Sequence, residues 1–377
     1  MMGKYVRANE SGLFDKVQRL EELQAMGDPL SRLDGVIDRK AALPLAQIGD
    51  PLSRLDGVID WRVFEPVFAR IPRAEPRGPG GRPGCPPLMM FKAIVLASLY
   101  QLSDQQLEFQ PTDRLSFKRF LGLSAADASP DEKTFRAFRE MLTTHELVGP
   151  LFAIFHAALE AKGMFARKGQ MVDATFAEVP RQRNTRAEKA KLKAGEVPAG
   201  WEEQPQKARQ KDVDARWTRK NDERHCGYKN HVKVDSRRKL IENDTVTPAS
   251  VPDSQVLAEL IAEGDPTTSV DSAYTGEKCE KIFLDRKVGA TPSERGYRNK
   301  PRNGSPPRSN RARSRVRARV EQVFATMRMS LRRAWPRCLG LRRNRAAIAL
   351  TNLVYNMVRF AQIARLGLKN WRVASLG

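Results

Sequence analysis

The order of apolar periodicities predicts an α/β protein whose mixed sheet, flanked by helices, follows an all-α N-terminal region. Two observations carry the prediction. Apolar residues recur at helical spacing up to about residue 165. From Lys168 onward, strand-like alternation is interleaved with helical segments. A chain of 377 residues has room for two or three domains. The expected division is an N-terminal segment over 1–80, a helical region over 81–165 and an α/β domain over 166–366, with a charged insertion at 185–224.

The N-terminal segment contains a duplication: GDPLSRLDGVID stands at Gly27–Asp38 and again at Gly49–Asp60. Two copies do not build a solenoid. The second copy runs into WRVFEPVFARI, and Leu52, Leu55, Ile59, Val63 and Phe64 keep helical spacing, so the second copy is expected to be the one that joins the core. Pro72–Pro87 is a Pro/Gly/Arg linker. Helices are then expected over Leu88–Tyr100, Ser103–Gln110 and Arg114–Leu121. In SPDEKTFRAFREML, Ser129 reads as the N-cap, Pro130 as the first helical residue and Glu132 as the capping-box partner. Phe135, Phe138 and Leu142 form the buried stripe and leave Lys133, Arg136 and Arg139 outside. Such a pair of short helices fits a helix-turn-helix, and equally an ordinary bundle with solvated charges.

Past Lys168, GQMVDATFAEV alternates as a strand, and GYKNHVKVDSRRKLIENDTVT reads as a hairpin turning at Ser236–Lys239. A helix (SQVLAELIAEG), a strand entering a turn (TTSVDSAYTG), a helix (EKCEKIFLDRK) and a short strand (VGATPSE) follow. Two long helices close the order, SRVRARVEQVFATMRMSL and Asn344–Leu366. Thr185–Arg224 is polar and charged and is expected to be a partly ordered excursion.

The formal net charge is +22, and it is concentrated. Arg181–Lys239 holds 18 Lys/Arg against nine Asp/Glu, and Pro301–Arg345 holds 14 Arg against one acid. Charge gathered in this way implies a polyanionic partner, because neutralising phosphates releases condensed counterions. The four cysteines are scattered without paired spacing, which argues against a disulfide framework or zinc ribbon. His225, Cys226 and His231 fall on a predicted strand at a spacing that does not suit zinc. MMGKYVRANESG lacks an apolar core and no apolar run approaches the length of a membrane span, so a soluble intracellular protein is expected.

Three carboxylates stand out. Asp173 lies among Met171, Val172, Ala174 and Phe176 in an apolar strand, and Asp271 follows Val270 at the end of another. An isolated carboxylate there is costly without positive compensation. Either one, read alone, also fits a turn cap or an ion pair with arginine. Glu321 is the single acid among 14 arginines. It lies about 100° around its helix from Val320, at the margin of the stripe formed by Val316, Val320, Val323 and Met327. Arg317 and Arg328 share nearly the same line. A helical Glu–Arg pair would explain it at a few tenths of a kcal/mol (~0.3). A divalent ion explains it better, because hard cations take oxygen ligands and are held by few carboxylates together with water and phosphate.

At these residues the sequence resembles the bacterial DDE transposases of the insertion-sequence-five group, which have a ribonuclease-H-like core. The resemblance rests on MVDATFAEVPRQRNTR, VDSAYTG and RVRARVEQVFATMR, with GYKNHVKVD, ALTNLVYNMVRF and the block GRPGCPPLMMFKAIVLASLYQLSDQQLEFQPTDRLSFKRFLGL in support, and covers roughly Gly49 to Phe360. Arg317 and Glu321 fit the group's third motif, Arg328 replaces its Lys, and Ser314 stands where it has Tyr. The resemblance implies a ribonuclease-H-like mixed sheet and a catalytic, metal-holding triad of Asp173, Asp271 and Glu321. It implies Mg²⁺ as cofactor, with Mn²⁺ as a substitute. The activity would be phosphodiester hydrolysis at the element ends followed by strand transfer into target DNA. The expected DNA contacts are Lys133, Arg136, Arg183, Arg313, Arg315, Arg317, Arg319, Arg328 and Arg332. The expected partner is double-stranded DNA (terminal inverted repeats and target), bound by a homodimer without a membrane, in the cytoplasm and at the nucleoid. A catalytically inactive, transposase-derived, sequence-specific DNA-binding protein is the alternative.

Overall fold

The computed structural model describes residues 50–72, 84–124, 126–201, 203–220, 222–274, 276–292, 319–329 and 338–366. The first element is α1 (Pro51–Val58), in the second copy of the duplication. Asp50 caps it by accepting from the Leu52 and Ser53 amides at 3.1 and 3.3 Å, and Pro51 supplies a preset φ. Leu52, Leu55 and Ile59 are buried as their spacing predicts, together with Trp61 and Phe64 in the following 3-10 turn, Trp61–Phe64. The short α2 (Glu65–Phe68) continues the same apolar face. The first copy lies outside the described residues.

Helices α3 (Pro87–Tyr100), α4 (Asp104–Asp113), α5 (Leu115–Leu121), α6 (Glu132–Thr144) and α7 (Val148–Ala161) complete the helical region. α4 opens with a capping box between Ser103 and Gln106. The cap of α6 differs from expectation. Asp131, not Ser129, accepts from the Thr134 amide at 2.7 Å, so Glu132 is the first helical residue and the Ser129 hydroxyl is buried without a hydrogen-bond partner. A carboxylate at a helix N-terminus gains from the macrodipole as well as from the hydrogen bond, so Asp131 outcompetes the hydroxyl.

The sheet has six strands: β1 (Gln170–Glu178), β2 (Arg216–Lys220), β3 (Glu223–Asp235), β4 (Ile241–Pro248), β5 (Thr268–Val270) and β6 (Ala290–Pro292). The order is β2-β3-β1-β5-β6, with β4 also paired to β3. β1, β5 and β6 run parallel, and β3 is antiparallel to β1, β2 and β4. This is the mixed sheet expected, and the β3–β4 hairpin turns where predicted. β3 crosses β1 so closely at Gly227 (φ +140°) that a Cβ there would stand 2.3 Å from the Ala177 carbonyl oxygen, which only glycine avoids.

Two elements depart from the pattern reading. The helix expected over SQVLAELIAEG shrinks to a 3-10 turn, Asp253–Val256, and one turn of helix, α10 (Leu257–Leu260). Ile261 turns extended and the Asp265 carboxylate captures the Ala262 amide at 2.7 Å, which takes that amide out of the helical ladder. The charged excursion, expected to be partly ordered, contains α8 (Arg186–Ala194), a 3-10 turn at Ala199–Trp201 and α9 (Pro205–Ala208). Trp201 is 2% exposed and donates from Nε1 to Glu188 at 2.8 Å. One tryptophan thus serves as the unit's core.

Between β5 and β6 lies α11 (Glu277–Asp285). The helix α12 spans 319–329, and α13 (Leu341–Arg365) is the last described element. α13 lies along the β3–β4 hairpin and is fastened by buried asparagines. Asn356 accepts from the Ile241 amide at 2.8 Å and donates to its carbonyl at 2.7 Å, and Asn352 exchanges hydrogen bonds with Asn230. One apolar cluster runs without a break from Leu52 and Phe91 through Phe155 to Met171, Val232, Val323, Leu353 and Phe360. The helical region and the sheet therefore share a core. Among the described residues no single helix is long and apolar enough to cross a membrane, and α6 with α7 reach that length only across an 80° bend.

Candidate active site

β1 and β5 position the two aspartates. Val172 is in register with Val270, the last residue of β5, so the next step along each strand sets Asp173 beside Asp271. Neighbouring strands lie about 4.8 Å apart, which brings the two residues into the reach of one cation. Val172 and Val270 pack together with Leu257, Tyr274, Cys279 and Phe283, whereas Met171 joins the main core. By alternation Asp173 leaves on the main-core face, as does Val232 opposite it on β3. Asp271 is 9% exposed and Asp173 is half-buried. The Tyr274 hydroxyl gives a second measure of their proximity. It is buried without a hydrogen-bond partner, and burial first, then the charges of Asp253, Asp173 and Asp271, push its pKa well up.

At this point the sheet splits. The Tyr274 amide donates to the Asp271 carbonyl at 3.0 Å, and the 3-10 turn Ser272–Tyr274 carries the chain away from β1. β1 continues to Glu178 and is paired over that stretch to β3 alone. Ligands of open α/β sheets bind in the crevice outside the carboxyl ends of the strands, where neighbours part. Here a cavity of about 260 Å³ follows the unpaired edge, lined by Ala174, Phe176, Lys220, Lys229, Asp253 and Ala273.

Its walls are cationic and aromatic. The Phe176 ring stacks on His225 at 4.1 Å and 9°, with the Lys220 and Lys229 ammonium groups 5.9 and 5.7 Å from the ring centre. Lys229 donates to the Val251 carbonyl at 2.9 Å and to Asp253 at 2.8 Å. The sequence did not single out Phe176, Lys229 and Asp253, which line this cavity. A signal was present in GYKNHVKVD, where Lys229, His231 and Lys233 share one face of β3 while Tyr228, Val232 and Val234 fill the other. Buried cations on a strand require acidic partners across from them, and Asp253 and Asp265 fill that role here.

Glu321 stands on α12. Its neighbours Val320, Val323, Phe324 and Met327 are buried in the main core, and Glu321 itself is exposed. Arg319 donates to the Ser236 carbonyl at 3.0 Å, which holds this part of α12 at the β3–β4 turn, near the first residues of β1. α12 thus joins the core on the face from which Asp173 leaves. Asp173 and Asp271 each follow directly on the last residue that β1 and β5 pair, Val172 and Val270. Among the described residues no group of three or more His, Cys, Asp or Glu side chains converges as a metal cluster. The pair nonetheless fits a divalent ion: two carboxylates on adjoining strands, beside a buried phenol, match the few protein ligands such an ion keeps when water and phosphate complete its shell.

Of the expected DNA contacts, Lys133 and Arg136 are exposed on α6, Arg183 is exposed after β1, and Arg328 is exposed on α12. Arg319 is tied to Ser236. Arg313, Arg315, Arg317 and Arg332 lie outside the described residues.

Residues 165–357, more than half of the chain, match the family described as Transposase DDE domain, and residues 41–141 match Transposase domain (DUF772). The chain belongs to the DDE transposases. It is accordingly a DNA transposase, an enzyme of the DNA-binding, divalent-metal-using kind. Among solved structures it is similar to a piggyBac transposase synaptic complex with hairpin DNA, at 12% identity over 86% of this chain and 76% of that one, with a TM-score of 0.38.

Proposed function

We propose that Asp173 and Asp271 are the catalytic carboxylates of this transposase and that Glu321 completes their metal shell. The observation that carries the proposal is the register of β1 and β5, which seats the two aspartates side by side where the strands part. Mg²⁺, with Mn²⁺ as a substitute, would supply Lewis-acid stabilisation of the attacking and leaving oxygens of an in-line displacement. The chain's own residues do the rest. Asp173 and Asp271 would hold the ion and so fix the reacting phosphate against the sheet's split edge. Lys220 and Lys229 give the adjoining cavity its positive rim. The low-dielectric floor around Tyr274 keeps the carboxylate charges poorly screened. The reaction is hydrolysis at each element end, which exposes a 3′-hydroxyl; that hydroxyl then attacks a phosphodiester of target DNA, forming a new O–P bond as the target strand's own 3′-oxygen leaves as a 3′-hydroxyl.

The helical region 81–165 reads the terminal inverted repeats through Lys133 and Arg136. Arg183, Arg319, Arg328 and the arginines of 313–317 and 332 bind phosphates, and two copies act together on paired ends in the cytoplasm. The deciding experiment is cleavage of a plasmid carrying the element's own ends, with Mg²⁺ and with EDTA. Asp173→Asn, Asp271→Asn and Glu321→Gln should each lower cutting by more than about a hundredfold, beyond what the loss of an outer-shell partner costs, while binding the same DNA undiminished. Cutting that survives either Asn substitution overturns the assignment.

A further inference from the structure

The excursion between β1 and β2 is folded, basic and unused by the chemistry at Asp173 and Asp271. Helix α8, RAEKAKLKA, holds four cations and one acid. The acid is turned inward: Glu188 closes a capping box with Thr185 and accepts from Trp201 Nε1 and Lys207 Nζ, each at 2.8 Å. These donors hold its carboxyl at about 2. Leu192, one turn on, is buried, so Glu188 and Leu192 mark the inner line of the helix. Arg186, Lys189 and Lys193 follow at i, i+3 and i+7 along one exposed line, about 10 Å in length. Among the described residues none of the three is in an ion pair with a carboxylate. Like charges at these spacings repel one another along a helix, and a solvated helix ordinarily mixes the two signs. A single-sign stripe, with its one acid folded under, is relieved by a polyanion lying across it.

The mounting is firm. Lys211 ties the two ends of the excursion together through the Arg183 carbonyl and the Asn184 side chain, each at 2.7 Å, and Arg181 lies over the exposed Trp217 ring at 5.8 Å. The unit leaves β1 after Glu178, five residues beyond Asp173 on the same strand.

We propose that Arg186, Lys189 and Lys193 form a phosphate-binding ridge for duplex DNA passing to the Asp173/Asp271 end of the sheet. The path of that duplex rests on the assignment of those aspartates as the cutting site, whereas the ridge is tested without any cutting. The measurement is equilibrium binding of a random-sequence duplex to the full-length protein in EDTA across a series of salt concentrations. Each lost phosphate contact lowers the slope of log affinity against log salt by about 0.9. Arg186→Gln/Lys189→Gln/Lys193→Gln keeps helix-forming side chains and should lower the slope by about 2.7, with affinity at low salt reduced more than tenfold. Lys191→Gln, on the other flank of the same helix, should leave the slope at the parent value. If the triple variant melts early, Lys193→Gln alone should still remove about 0.9. An unchanged slope in the stripe variants, or an equal loss from Lys191→Gln, overturns the ridge, while loss of cutting in Asp173→Asn bears only on the active site.

Discussion

Single side chains set the electrostatics of this molecule, and Glu242 shows the sign most clearly. It lies in the sheet beside Gln170, Lys233 and Asp265, and burial raises its carboxyl from 4.5 to about 7, against the pull of Lys233. A raised acid binds more protons folded than unfolded between those two values, so native stability falls as pH rises from about 4.5 to 7 and then levels. Glu242→Gln removes that loss. The variant should match the parent in denaturant titrations near pH 4.5 and exceed it by on the order of 2 kcal/mol at pH 8. A constant difference across that range would refute the burial argument. Asp173 and Asp271 were legible as candidates because acids inside apolar strands need a reason to be there. That they meet depends on the register of β1 and β5, which no local pattern encodes. Asp253 escaped notice for the same cause, since its partner Lys229 is 24 residues away.

At the scale of elements, the strongest prediction concerns the seam between α13 and the β3–β4 hairpin. Asn356 satisfies both polar groups of the Ile241 peptide, and both are buried. Asn356→Leu leaves that amide and carbonyl unpaired and should destabilise the protein by about 2–6 kcal/mol in urea unfolding, from one to three per orphaned group. A loss below about 1 kcal/mol would mean that the seam is held by its apolar contacts alone. Nothing local in the sequence around Asn352 and Asn356 points to their partners, Asn230 and the Ile241 peptide, which lie more than a hundred residues away. Strand and helix positions were otherwise legible wherever period and length agreed, as in β1, the β3–β4 hairpin and α13. They were not where a short-range hydrogen bond intervened. Asp131 displaced Ser129 as a cap, and Asp265 ended α10 early. The excursion read as partly ordered because its apolar content is so low. Its core is Trp201, bonded to Glu188, with Leu192 buried on α8, and composition alone does not foretell that contact.

For the whole molecule, the duplicated segment offers a direct test. The second copy anchors α1 in the core through Leu52, Leu55 and Ile59. Deletion of residues 27–48 removes the first copy and the chain that follows it, and should leave the melting temperature within about 2 °C of the parent. A shift beyond about 4 °C, more than about 1 kcal/mol for a folded unit of this size, would show that the first copy also contributes to the core. The same apolar cluster joins both parts of the chain. Phe155 of α7 meets Phe360 of α13 edge-on at 6.5 Å, and Arg343 of α13 forms a bidentate pair with Glu140 of α6. The carboxylates proposed for catalysis all lie beyond residue 170, yet the scaffold beneath them is completed by helices encoded well upstream. A gene copy that loses its opening third to a frameshift or an internal restart would still spell out every acidic ligand. Its product would reach the cell with a bare oily flank and be cleared by proteases. In such an element, inactivation can precede any damage to the catalytic codons.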